Sequence, residues 1–384
     1  MKTISDETEN DTPESKVYGS IKLRLTVVGI VIDILLLVLW GFTPLSRFCV
    51  NYIEYRFENP YLQFVIFMML CGGSFFVIGT FLSWYSSFII EHEFHLSNQT
   101  ALQWIVEQIK STVLSVVIAL PLGLLFFALI RRFENSWWLF FAAAIFLVSV
   151  VLARIAPSVI FPLFYKFTPL AEGEVRTGIE SLLAKEKLSC RGIYSFNMSK
   201  NTRKANAAFA GIGKSRRIIL SDTLLESFTP AEIETIFAHE LGHLRGGHIL
   251  KSILLNGAVI FGSFFICGKI YAAVILDMGF IHAYDIAALP VFAFFLSILG
   301  IIIMPVSNAF SRRLEREADN YAIIASQNPS AFITALDKLA LINNAERNPP
   351  VVAEFLFHSH PSIAKRIQQA RRGIERISAS PVSE

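Results

Sequence analysis

The chain has 384 residues, 53% of them hydrophobic and only 17% charged, with a mean hydropathy of +0.52. That balance excludes an ordinary soluble globular protein and points to a membrane protein. Basic flanks of membrane spans account for the net charge of +3, so no nucleic-acid partner is expected.

A polar, largely acidic tail, Met1–Ser20, reads as disordered. Six apolar runs follow, each long enough to cross a bilayer as a helix: Leu25–Leu45, Tyr61–Trp84, Val113–Ile130, Trp137–Ala156, Ile253–Leu276 and Ala287–Phe310. The first exceeds a signal-peptide core and has no convincing cleavage site, so it reads as a retained span. Cys49, Cys71, Cys190 and Cys267 lack paired metal or redox spacing and read as packing residues. Of the 34 Lys and Arg residues, 14 lie in Arg154–Lys251, 10 in Arg312–Arg376 and 4 before Leu25. By the positive-inside rule the amino terminus and both of these blocks face the cytoplasm, of either an endoplasmic-reticulum or a bacterial inner membrane.

Between the fourth and fifth spans the pattern changes. "GIYSFNMS" alternates like a strand, and "NAAFAGIG" and "RRIILSD" flank a Gly-Lys-Ser turn as the arms of a hairpin would. The expected fold is a mainly α, multi-pass helical bundle with a small embedded α+β domain. Its expected parts are the tail at 1–20, four spans at 21–160, a first domain segment at 161–250, two spans at 251–310 and a second domain segment at 311–384.

Thr229, Pro230 and Glu232 give an N-cap, a first-turn proline and a capping box, so a helix should start there and run into "AHELGHLRGGH". Gly246 and Gly247 mark the place where it bends or breaks. His239 and His243 are four residues apart, which stacks both imidazoles on one helix face within reach of one zinc ion. Glu240 then stands beside the metal as a general base. A catalytic zinc takes three protein ligands and keeps one open position. His248 nearly completes the metzincin pattern, but that pattern requires histidine at the position of Ile249, so His248 suits a supporting or cavity-facing role better. The other offer is Glu315 in "SRRLEREADNYA", with Asp319 one turn later on the same face to accept an imidazole N–H, while Glu317 points elsewhere.

These residues, together with "SSFIIEHEFHLSNQT", "IAPSVIFPLFYKFTPLAEGEV", "NAAFAGIGKSRRIILSDTLL" and "HSHPSIAKR", resemble in content and order the type I CAAX prenyl endopeptidase family of integral-membrane zinc proteases, from about Tyr61 to Ile377. The resemblance implies His239, His243 and Glu315 as ligands of one Zn2+ and Glu240 as the base, with Asp319 supporting the site. It further implies Asn206 and Arg366 at the substrate and His360 at the transition state. A peptide substrate, with or without a prenyl group, also follows from it; the lipid bilayer around the chain follows from the apolar runs, and a monomeric state is expected. The family usually has seven spans, and the first has no counterpart here, which leaves the closure of the family's internal chamber an open expectation.

Independently of the name, Asn206 could grip an extended peptide at a strand edge, His360 could donate to an oxyanion, and Arg366 could support it or hold a carboxylate. Two other functions compete. A heat-shock-type membrane quality-control metalloprotease shares the zinc motif but is shorter, with fewer spans. A transporter or receptor with structural zinc would want four closed ligands, where only three are found.

Overall fold

The computed structural model describes residues 11–188, 190–210 and 217–379. Six helices are long and apolar enough to cross a membrane. Four precede the small domain: α1 (Pro13–Phe42), α3 (Pro60–Ser83, extended through a wide turn to Glu93), α4 (Ala101–Arg132) and α5 (Trp137–Ile155), with the shorter α2 (Leu45–Arg56) between the first two. Two follow it: α8 (His248–Asp277) and α9 (Leu289–Ser326).

One expectation is corrected. The amino-terminal tail ends earlier than expected, because Pro13–Ser20 is the first part of α1. Thr12 caps it by accepting the Ser15 N–H, Pro13 presets the first turn, and Glu14 suits the positive end of the helix dipole. Tyr18 is buried there, with its hydroxyl 2.6 Å from Glu91 Oε1 at the end of the second span.

A four-stranded sheet forms the domain, in the order β1 (Phe167–Pro169), β2 (Ile193–Phe196), β4 (Arg217–Ser221), β3 (Ala207–Ala210). β3 and β4 pair antiparallel with Phe209 opposite Ile218, as the hairpin reading expects, and the Gly-Lys-Ser turn lies outside the described residues. β3 is thus an edge strand, with one side unpaired within the sheet. α6 (Glu174–Lys185) and α7 (Pro230–Arg245) flank this sheet. Ile179, Leu220, Leu224, Ile233, Phe237 and Phe332 form its core, separate from a membrane-region core around Phe67, Phe127, Ile130 and Tyr271.

α7 begins where the capping box predicts. Thr229 accepts the Glu232 N–H, and Glu232 Oε2 accepts the Thr229 N–H at 2.8 Å. It ends at Arg245, and Gly247 at φ +63° makes the break before α8. α9 is one continuous 38-residue helix, so the sixth span runs into the Glu315 segment with no interruption at residues 310 and 311. α10 (Pro329–Ile342), α11 (Val351–Phe357) and α12 (Ile363–Ala379) complete the chain.

α7 and α9 cross at backbone contact. A Cβ on Gly242 would lie 2.9 Å from Ala318 Cα and 3.0 Å from Ala318 O. Neither neighbour is a side chain that could swing away. Gly242→Val should therefore force the helices apart and cost about 1–3 kcal/mol; valine is the better test because alanine's helix propensity returns roughly 1 kcal/mol. Thermal unfolding of the purified protein in detergent checks this, and an unchanged melting temperature would count against the contact.

Candidate metal centre

The crossing of α7 and α9 brings together the residues that the two motifs supply separately. His239 Nε2 and His243 Nε2 lie 3.2 Å apart. Glu315 places Oε2 3.3 Å from the first and Oε1 3.3 Å from the second. His239, His243 and Glu315 form the group of side chains among the described residues whose ligand atoms could hold a metal ion.

The donor atoms fit a zinc ion. Metal–ligand bonds of about 2.0–2.1 Å in a tetrahedron put neighbouring ligand atoms roughly 3.3 Å apart, which is the spacing found here. Two imidazoles and one carboxylate are a set that zinc accepts. Glu315 Oε2 is also buried without a hydrogen-bond partner among the described residues. A buried, unsatisfied carboxylate oxygen is costly unless a cation faces it.

Around this trio the neighbours set orientation. Asp319, fully buried on α9, lies with Oδ1 2.8 Å from His239 Nδ1. Arg366, in the first turn of α12, donates from Nε to Asp319 Oδ2 at 2.9 Å and from Nη2 to Oδ1 at 2.6 Å. Burial alone would favour neutral His239, but the Asp319 and Glu315 carboxylates beside it outweigh this and lift its pKa to about 9; a metal ion on Nε2 would take the place of that proton. Burial likewise opposes the Arg366 charge, and contact with Asp319 outweighs it, so the guanidinium is held more firmly protonated than usual. Arg366, expected at the substrate, is thus paired with Asp319.

Glu240 stands on the partly open side of α7, and its Oε2 lies 3.4 Å from the Phe209 N–H of edge strand β3. Asn206, just before β3, is exposed. Its backbone is held at both ends, N–H to Ser221 Oγ at 3.0 Å and C=O to the Ser221 N–H at 2.9 Å. Its side-chain amide makes no hydrogen bond among the described residues. His360, on the loop before α12, brings Nε2 to 3.3 Å from Glu315 Oε1 and keeps its ring 60% exposed. His248 is not one of the three clustered ligand groups but stands behind one of them; its Nδ1 meets His243 Nδ1 at 2.9 Å, and Glu317 faces it from α9.

The sequence reading missed the clamp on the His360 loop. Arg312, buried three residues before Glu315, donates through Nη1 to the carbonyls of His358 at 2.6 Å and Glu354 at 3.0 Å. Glu354 accepts the Ser362 N–H at 3.2 Å and pairs with Lys365 at 2.7 Å. Carbonyl acceptors leave no mark in sequence, so the arginine had no visible partner.

Fold and site together define an integral-membrane metalloprotease. The chain belongs to peptidase family M48: the family model of that description matches residues 169–374, and one described as "CAAX prenyl protease N-terminal, five membrane helices" matches residues 2–166. Four of the six long apolar helices fall within that second match. The chain is 30% identical to "Uncharacterized metalloprotease YhfN" of Bacillus subtilis, over 92% of this chain and 84% of that protein. It is 26% identical to "CAAX prenyl protease 1" of Saccharomyces cerevisiae, over 95% and 86% respectively. The crystal structure of S. mikatae Ste24p superposes with a TM-score of 0.82 at 26% identity, covering 96% of this chain and 90% of that one. The resemblance read from the motifs is thereby borne out.

Asp319→Asn keeps the size of the side chain but removes the charge facing His239 and Arg366. It should weaken metal binding about 10–100-fold, measured by competition with a chelating dye. Unaltered affinity would show that Asp319 does not orient the ligand.

Proposed function

We propose that the chain is a zinc endopeptidase that cuts peptides near a lipidated carboxy terminus, with His239, His243 and Glu315 holding one Zn2+. When bound, the ion would polarise the scissile carbonyl and lower the pKa of the attacking water. Glu240 takes the proton from that water and passes it to the leaving amine. Asn206 and the free edge of β3 pair with the extended peptide backbone, as edge strands do in peptide recognition. His360 Nε2–H donates to the oxyanion. Asp319 fixes His239, and Arg366 holds Asp319 in place. The protein acts as a monomer.

The observation that carries the lipid reading is a largely apolar cavity of about 510 Å³ opening at Glu240 and His243. Phe146, Val150 and Ala153 of α5, Ile253 of α8 and Leu314 of α9 line it. A pocket of this size lined by aliphatic and aromatic groups suits a long hydrocarbon chain, whose burial yields roughly 0.8 kcal/mol per methylene. The names of the prenyl-protease relatives support the same substrate class. Basic residues concentrated before the first span and in the two domain segments support a cytoplasmic amino terminus, catalytic domain and carboxy terminus.

Purified protein should cleave a prenylated peptide faster than the same peptide without the lipid, and a chelator should stop both. Equal rates on the two peptides would favour the quality-control alternative. Glu240→Gln should lower kcat by about 10²–10⁴-fold while zinc stays bound; full activity in that variant would remove Glu240 from the mechanism.

A further inference from the structure

The two histidines of the candidate centre are supported unequally in sequence but similarly in space. His239 has a carboxylate, Asp319, directly on its Nδ1. His243 has no carboxylate on its Nδ1 among the described residues. Its Nδ1 instead meets Nδ1 of His248 at 2.9 Å, and Nε2 of His248 lies 3.2 Å from Glu317 Oε2.

We propose that His248 is a positioning residue that carries the orienting effect of Glu317 to His243. The inference rests on the reading of His243 as a zinc ligand. If His243 Nε2 faces the metal, its proton is on Nδ1, and Nδ1–H can only donate to His248 Nδ1. That makes Nδ1 of His248 the acceptor and puts its proton on Nε2, which donates to Glu317. One tautomer of each ring satisfies both contacts, so a carboxylate, an imidazole and the ligand imidazole form a single directed chain.

Three further observations show that the arrangement is built. His248 is only 3% exposed and sits in the first turn of α8. Its ring lies directly over Gly246, where an added Cβ would come within 2.2 Å of Nε2. Gly246 has an ordinary helical φ of −68°, so a side chain there would be tolerated by the backbone but would displace the His248 ring. On the far side, Glu317 is fixed by Lys251 Nζ at 3.0 Å on Oε2 and by Arg313 Nε at 3.2 Å on Oε1. The break between α7 and α8 therefore turns a histidine back onto the metal helix.

Zinc affinity, measured by competition with a chromogenic chelator, separates this role from simple packing. In His248→Leu the Nδ1–H of His243 loses its acceptor, and affinity should fall about 10–100-fold. In His248→Asn the amide oxygen replaces Nδ1 as acceptor, and affinity should stay near that of wild type. A packing role predicts the reverse order, because leucine fills the buried volume better than asparagine. Thermal melts of the metal-free variants identify any loss of fold. Wild-type affinity in His248→Leu, or equal losses in the two variants, would overturn the proposal. Wild-type protein that holds no zinc would overturn the metal-site reading itself, and the relay with it.

Discussion

Everything in the candidate centre depends on two helix backbones touching at Gly242 and Ala318. His239 and His243 stand on either side of Gly242 in sequence, and Glu315 and Asp319 bracket Ala318. Only where the backbones meet can short carboxylate side chains of one helix reach imidazoles of the other. The membrane region supplies the frame, because α8 and α9 are two of its long apolar helices and α9 carries its glutamate inward without a break. The 72-residue separation between His243 and Glu315 is thus one span down and one span back.

A second constraint is electrostatic. Three Lewis bases converge in a largely buried place, where unpaired polar atoms are costly. Asp319 and Arg366 brace one side, with the buried carboxylate neutralised by a guanidinium in a two-point contact. His248 and Glu317 lie along the other. The same packing leaves Glu240 beside edge strand β3 and the apolar cavity, and His360 half-open on a loop beside Glu315.

Much of this was legible in the sequence because its signals are local. The spans declare themselves by length and composition, α7 by a capping box that forms as written, and the break after it by Gly246 and Gly247. The i, i+4 spacings of His239 with His243 and of Glu315 with Asp319 state which side chains share a face. What could not be read depends on contacts between distant elements. Arg312 binds carbonyl oxygens, which every residue carries. Nothing in sequence showed that α12 lays its first turn, with Arg366, against Asp319. Pro13–Ser20 looked like loose tail, yet Tyr18 finds a buried partner in Glu91, 73 residues away.

The central claim is that one metal ion joins α7 to α9 through Glu315. Metal content of the purified protein tests it most directly. The account predicts about one zinc per chain in the wild type, lost in Glu315→Ala. Zinc retained at full stoichiometry in Glu315→Ala would contradict it.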